Sequence, residues 1–223
     1  MEERTTTVKR NELGYTIGEE IANSITHGIG ALLSVAGLTI LVMLAVNYGD
    51  VWRIVSAVVY GSSLVILYLA STLYHMVQHP KAKRILRIID HASIFVLIAG
   101  SYTPFLLVNL RGTLGWTFFG IIWGIAAAGI VLKVFFIGKY EVLATAAYIA
   151  MGWLVVFAFR QLMANLSPGG IILLIAGGIT YTAGVIFYAW RKLPYSHAIW
   201  HLFVLGGSAC HFFAVLFHVL PMK

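Results

Sequence analysis

The sequence predicts an all-α polytopic membrane protein, a bundle of seven transmembrane helices, from three observations. First, only 10% of its 223 residues are charged, 60% are hydrophobic, and the mean hydropathy is +0.90. An average soluble domain is about 25% charged, and one of this size has too little interior to hide so many apolar side chains. Second, the few charges leave seven long uncharged stretches: 21–49, 54–80, 91–110, 112–132, 142–159, 161–190 and 193–222. Crossing the hydrocarbon core takes ~20 residues, so each stretch holds one helix and none holds two with a turn. Third, the apolar residues do not alternate, which excludes a transmembrane β-barrel. The same composition excludes a disordered chain. The single cysteine, Cys210, excludes an intrachain disulfide and any multi-cysteine metal site.

Taken in order, residues 1–20 form a polar tail with no apolar core, so no cleavable signal peptide is expected there. Residues 21–223 form the seven-helix domain, with helices centred near 37, 65, 99, 123, 152, 180 and 209. Gly28, Gly30, Ser34 and Gly37 give the first helix a small-residue packing stripe. Trp52 and Trp116, near helix ends, suit the membrane–water interface. Pro104 is expected to kink the third helix. Ser167-Pro168-Gly169-Gly170 reads as the turn before the sixth helix. Leu193-Pro194-Tyr195-Ser196 reads as the turn before the seventh, with Ser196 as its N-cap. There is no internal repeat, and an odd helix count does not suggest the duplicated halves of many transporters.

The formal charge of +7 does not indicate nucleic acid, because the basic residues gather at alternate helix ends. Arg4, Lys9, Arg10, Lys81, Lys83, Arg84, Arg87, Lys133, Lys139, Arg191 and Lys192 fall on one side, and Arg53, Arg111, Arg160 and Lys223 on the other. The positive-inside rule then predicts a cytoplasmic N-terminus and an external C-terminus. Anionic lipid accounts for the basic excess.

Ionisable groups inside a membrane are costly and mark function by default. Asn23 and His27 open the first helix, His75 lies near the end of the second, Asp90 and His91 near the start of the third, and His197 and His201 open the seventh. This topology puts them all at one depth, below the cytoplasmic surface, whereas His211 and His218 fall deeper or toward the other side. His197 and His201 are spaced i, i+4, as are Ser71 and His75, so each pair shares a helix face. Two imidazoles at that spacing can chelate one metal. With His75 they make an open three-histidine set, the catalytic type for zinc, which acidifies its bound water. Asp90 is then placed to act as general base or to orient a histidine, and Ser71 to bond the water or a substrate carbonyl. The plainer alternatives are hydrogen bonds between helices for Asn23 and His27, and solvated positions for Glu19, Glu20 and His79. His91 points to another face than Asp90.

Four motifs now stand together: Glu20-Ile21-Ala22-Asn23-Ser24-Ile25-Thr26-His27-Gly28, Ser71-Thr72-Leu73-Tyr74-His75, Asp90-His91, and His197-Ala198-Ile199-Trp200-His201. Over nearly the whole chain the sequence resembles the progestin and adipoQ receptor family, within it the bacterial hemolysin III branch. That resemblance implies seven helices with a cytoplasmic N-terminus, in the plasma membrane, the inner membrane of a bacterium. It also implies Zn2+ held by His75, His197 and His201, with Asp90 reaching the metal through water and Ser71 as the family's serine. The family is similar to the alkaline ceramidases, membrane metal-dependent hydrolases.

The expected function is therefore a zinc-dependent hydrolase of a lipid amide or ester, with membrane lipids as partners. One alternative is a lipid-responsive receptor or regulator in which zinc is structural. Another is a pore-forming protein, as the hemolysin name suggests, although few charges line the helices outside the cytoplasmic cluster. Substrate and oligomeric state leave no mark in the sequence.

Overall fold

The computed structural model describes residues 14–190 and 192–221; Arg4, Lys9, Arg10, Arg191 and Lys223 of the charge count, and residues 1–13 of the tail, lie outside them. The described residues contain no strand. Seven helices are long and apolar enough to cross a membrane: α1 Ile17–Tyr48, α2 Val51–Met76, α3 Pro80–Asn109, α4 Thr113–Phe136, α5 Glu141–Asn165, α6 Pro168–Ala189 and α7 Ser196–His218. Large apolar side chains such as Leu32, Phe135 and Phe157 remain exposed on the outside of the bundle, where lipid acyl chains would cover them.

Local chemistry sets the ends. Thr16 starts α1 with a capping box: its hydroxyl accepts from the Glu19 N–H at 3.1 Å, and Glu19 Oε2 accepts from the Thr16 N–H at 2.8 Å. Only Gly49 and Asp50 separate α1 from α2, and Asp50 caps α2 by accepting from the N–H groups of Trp52 and Arg53. Pro80 opens α3, where a missing N–H costs nothing.

The helix positions follow the uncharged stretches, with two corrections. α1 starts at Ile17 and takes in Glu19 and Glu20. α3 starts at Pro80, so Lys81, Lys83, Arg84 and Arg87 are its first turns rather than a loop. Charges mark a membrane edge only when they stay in water. Glu20 and Lys83 pair with each other at 2.8 Å and are buried. Asp90 therefore lies ten residues inside α3, not at its start.

Pro104 is followed by one π-helical turn, Phe105–Asn109, closed by the Leu110 N–H to Phe105 O at 2.9 Å. Ser167 N-caps α6, and Pro168, Gly169 and Gly170 are helical. Ser196 does not cap α7: the capping position belongs to Tyr195, held at φ 57°, with no side-chain cap bond. The Tyr195 N–H instead donates to Glu19 Oε1 at 3.2 Å, which ties the start of α7 to the start of α1. α5 narrows to a 3-10 segment at Trp153–Ala158. The cause is Tyr102 of α3, whose hydroxyl lies 2.6 Å from Gly152 O and accepts from the Val155 N–H at 2.9 Å, breaking the α-helical ladder.

α1, α2, α3 and α7 carry most of the buried residues. The small-residue stripe lets α1 approach α2 closely: a Cβ on Gly30 would stand 2.6 Å from the Tyr68 ring. In α6 the buried residues are the glycines 170, 177 and 184. Trp52 and Trp116 pack edge to face at 5.5 Å, so they anchor each other at that end of the bundle.

Candidate metal centre

Up-down threading puts the starts of α1, α3, α5 and α7 and the ends of α2, α4 and α6 on one face. His75, in the last turn of α2, meets His197 and His201 in the first two turns of α7. Their ring centroids are 4.6–5.3 Å apart. Each offers a ring nitrogen, and the three lie within 4.8 Å of one another. His75 and His201 are fully buried.

The surroundings separate the two nitrogens of each ring. His75 Nδ1 lies 2.6 Å from Glu20 Oε2, with the Asn23 amide a longer contact at 3.4 Å. His197 Nδ1 lies 3.2 Å from the Tyr15 hydroxyl. His201 Nδ1 lies 3.1 Å from the Thr26 hydroxyl and 3.2 Å from the Asn23 carbonyl. All three Nε2 atoms are buried without a hydrogen-bond partner. A buried polar atom is normally bonded. Three histidines that bring a nitrogen apiece within 4.8 Å of one another, each with an orphaned Nε2, fit a divalent metal, and a nitrogen donor set suits zinc.

Asp90 is buried on α3 and does not belong to the close set of three. Ser71, one turn deeper than His75 on α2, lies beside the Asp90 carboxylate. Asp90, His27 and His197 line one end of a cavity of about 390 Å³, and Leu110, Phe118 and Leu162 line its far, apolar end. A second cleft, of about 520 Å³, reaches His75 past Tyr15, Glu20 and Ser24. Tyr15 lies just before α1, with its ring 5.3 Å from that of His197. Burial first, then the neighbouring Tyr188, Glu20 and Asp90, push its hydroxyl well above the usual tyrosine value. It therefore stays protonated at physiological pH.

The other expectations resolve individually. His27 stacks on His201 at 3.4 Å, an intimate neighbour outside the metal-spaced set. His91 does face away from the centre, toward Lys133 and Glu141. His79 is exposed, as expected. His211 bonds Leu174 O and His218 bonds Ser167, both far from the centre along α7. Glu19 and Glu20 are corrected: both are buried, and Glu20 holds both His75 and Lys83. Only the short run from Glu20 through Asn23 to Thr26, polar residues three apart on an otherwise apolar helix, signals their part in the sequence.

A seven-helix membrane protein whose α2 and α7 join in a buried three-histidine centre defines the class. The chain belongs to the haemolysin-III related family, whose model matches residues 15–212. It is 56% identical over 208 residues to a hemolysin-3 homolog of Bacillus subtilis (strain 168), covering 93% of this chain and 98% of that one. It is 53% identical over 215 residues to hemolysin-3 of Bacillus cereus, covering 96% and 98%. It is 32% identical over 211 residues to the human monocyte to macrophage differentiation factor, covering 90% and 84%.

Proposed function

We propose that this protein is a metal-dependent hydrolase that cleaves an amide or ester of a membrane lipid, with His75, His197 and His201 as zinc ligands and Asp90 and Ser71 as catalytic groups. The observation that carries the reading is the convergence of three histidines, each with a buried, unpartnered Nε2, beside an apolar cavity within the bundle. Zinc on three neutral imidazoles supplies a Lewis acid and lowers the pKa of water.

The chain's own residues supply the rest. The apolar far end of the cavity takes an acyl chain and keeps water away from it. The polar end holds the scissile group near Asp90, and the Asp90 carboxylate takes the proton from the attacking water and returns it to the leaving group. Ser71, beside Asp90, donates to that carboxylate or to the substrate carbonyl. The centre belongs at the cytoplasmic face of the plasma membrane, within a seven-helix domain that takes in Tyr15 and Glu20 as well as residues 21–223. Lys81, Lys83, Arg84, Arg87, Lys133, Lys139 and Lys192 support that orientation against Arg53, Arg111 and Arg160.

The test is lipid turnover by the purified protein over a broad panel of amides and esters, with His75→Ala, His197→Ala and His201→Ala as controls. Turnover that these variants abolish is expected; a metal-loaded protein inert across the panel refutes the hydrolase. A second reading, a lipid-responsive regulator with structural zinc, draws on the ligands coming from two separate helices. A melting temperature that falls on chelation, without turnover, favours it. Impermeant thiol labelling of a cysteine placed at Lys81 but not at Arg111, in inside-out vesicles, is expected from the orientation.

A further inference from the structure

We propose that Glu20 and Thr26, at the start of α1, are positioning residues that set the tautomers of His75 and His201 so that each Nε2 is bare for a ligand, while Tyr15, just before α1, holds the His197 ring at its Nδ1. The metal half of this inference rests on the reading above; the tautomer half does not.

A neutral imidazole has one N–H donor and one lone-pair acceptor, so fixing one nitrogen fixes the other. Glu20 Oε2, at 2.6 Å, belongs to a carboxylate whose other oxygen faces a lysine, so it can only accept. His75 Nδ1 must therefore carry the proton, and its Nε2 the lone pair. Asn23 O, 3.2 Å from His201 Nδ1, is a carbonyl and can only accept. Thr26 has one hydroxyl proton, directed to Ala22 O at 2.9 Å or Asn23 O at 3.0 Å, which leaves its oxygen to accept from His201 Nδ1 at 3.1 Å. His201 Nδ1 is thus a donor as well. For His197 the Tyr15 hydroxyl occupies Nδ1 and so reserves Nε2 for the centre.

The spacing explains how one stripe of α1 serves both His75 and His201. Asn23 and Thr26 are i, i+3, and Glu20 and Asn23 are i, i+3, so the three lie along one stripe of α1. Glu20 is itself held: Lys83 Nζ sits 2.8 Å from its Oε1 and also donates to Tyr74 O at 3.0 Å, a free carbonyl in the last turn of α2. The arrangement Lys83–Glu20–His75 spans α3, α1 and α2, so the imidazole plane is set by three helices at once.

The experiment uses the full chain in detergent. Nitrogen-15 histidine NMR of the metal-free protein is expected to show His75 and His201 as Nδ1–H tautomers. Glu20→Ala should shift His75 away from that form. Glu20→Gln, which keeps a neutral acceptor, should shift it less. Thr26→Val should loosen His201 and Thr26→Ser should restore it. Chelator competition for zinc should show about a 10–100-fold weaker affinity for Glu20→Ala, with smaller losses for Thr26→Val and Tyr15→Phe. An Nε2–H tautomer at His75 in the wild type overturns the proposal, as does a Glu20→Ala protein with unchanged tautomer and unchanged zinc affinity. If Glu20→Ala fails to fold, the wild-type tautomers and the Thr26 pair still decide. A wild type with these tautomers that binds no zinc defeats the hydrolase reading and leaves this inference standing.

Discussion

Two carboxylates on the same face of the bundle, one buried and one half-buried, make an instructive pair. Glu20 lies in the first turn of α1 and Glu141 in the first turn of α5. Each faces a lysine Nζ at 2.8 Å, Lys83 for one and Lys133 for the other. Each also faces a histidine Nδ1, His75 at 2.6 Å and His91 at 3.5 Å. The side chains are 5% exposed at Glu20 and 19% at Glu141, where Arg87 adds a second cation at 3.4 Å. The same three residue types therefore do different things. Around Glu20 the imidazole is gripped, and its other nitrogen turns to two more histidines. Around Glu141 the looser, wetter cluster joins α3, α4 and the start of α5 and serves no second set. The residue types do not separate a site from a strut; the partner of the far histidine nitrogen does.

The strongest way to break this contrast is at the histidines. The double variant His197→Ala/His201→Ala is expected to lose all stoichiometric metal in elemental analysis, because two of three ligands are gone. His91→Ala, in the second cluster, is expected to leave metal content unchanged. Metal loss in His91→Ala would show that the two clusters are one system.

The lysines test stability next. Lys83→Ala strips a nearly buried carboxylate of its cation, and breaking a buried pair costs about 3–5 kcal/mol. Lys133→Ala leaves Glu141 with Arg87 and more water, so a cost of about 1–2 kcal/mol is expected. Thermal unfolding in detergent measures both. Equal losses would mean that depth does not distinguish the two.

Glu141→Gln comes third. It should cost about 1 kcal/mol while leaving zinc affinity within about twofold of wild type, as chelator competition would show. Glu20→Gln should change both quantities.

This contrast also shows what the sequence can and cannot reveal. The seven helices were legible because few charges interrupt them. His75, His197 and His201 were legible because i, i+4 spacing and a common depth can be read along the chain. Glu20 was not. Read along the chain, it is an acid beside another acid at the edge of an apolar stretch, which is how a solvated cap looks. Its burial depends on Lys83 and His75, which lie on two other helices and share no local pattern with it. The 3-10 break in α5 escaped notice for a similar reason: Tyr102, which causes it, lies on α3. The π-turn was half legible, since Pro104 announced a disturbance but not its form. The cavity was not legible at all, since it arises from how α3, α5, α6 and α7 stand apart.

Asp50, on the opposite face, supplies the smallest and cleanest test, because it behaves as Glu20 was expected to. Its side chain is 41% exposed, it caps α2, and it pairs with Arg53 at 2.7 Å. Partial burial pushes its pKa up, but the N–H groups of Arg53 and Trp52 and the Arg53 charge outweigh that and hold it below the usual value. A carboxyl with a depressed folded-state pKa adds stability above its unfolded value, and that stability is lost as pH falls through the folded one. Asp50→Ala should therefore cost about 1 kcal/mol near neutral pH, the ordinary worth of an N-cap. The gap between the melting curves of wild type and variant should narrow, without closing, below about pH 4. Asp50→Asn, which keeps the accepting oxygen, should recover most of the loss and remove most of the pH dependence. Metal content should be untouched in both, because no residue near Asp50 reaches the histidines. An acid at a helix start is thus a cap when water screens it and a site component when other helices close over it.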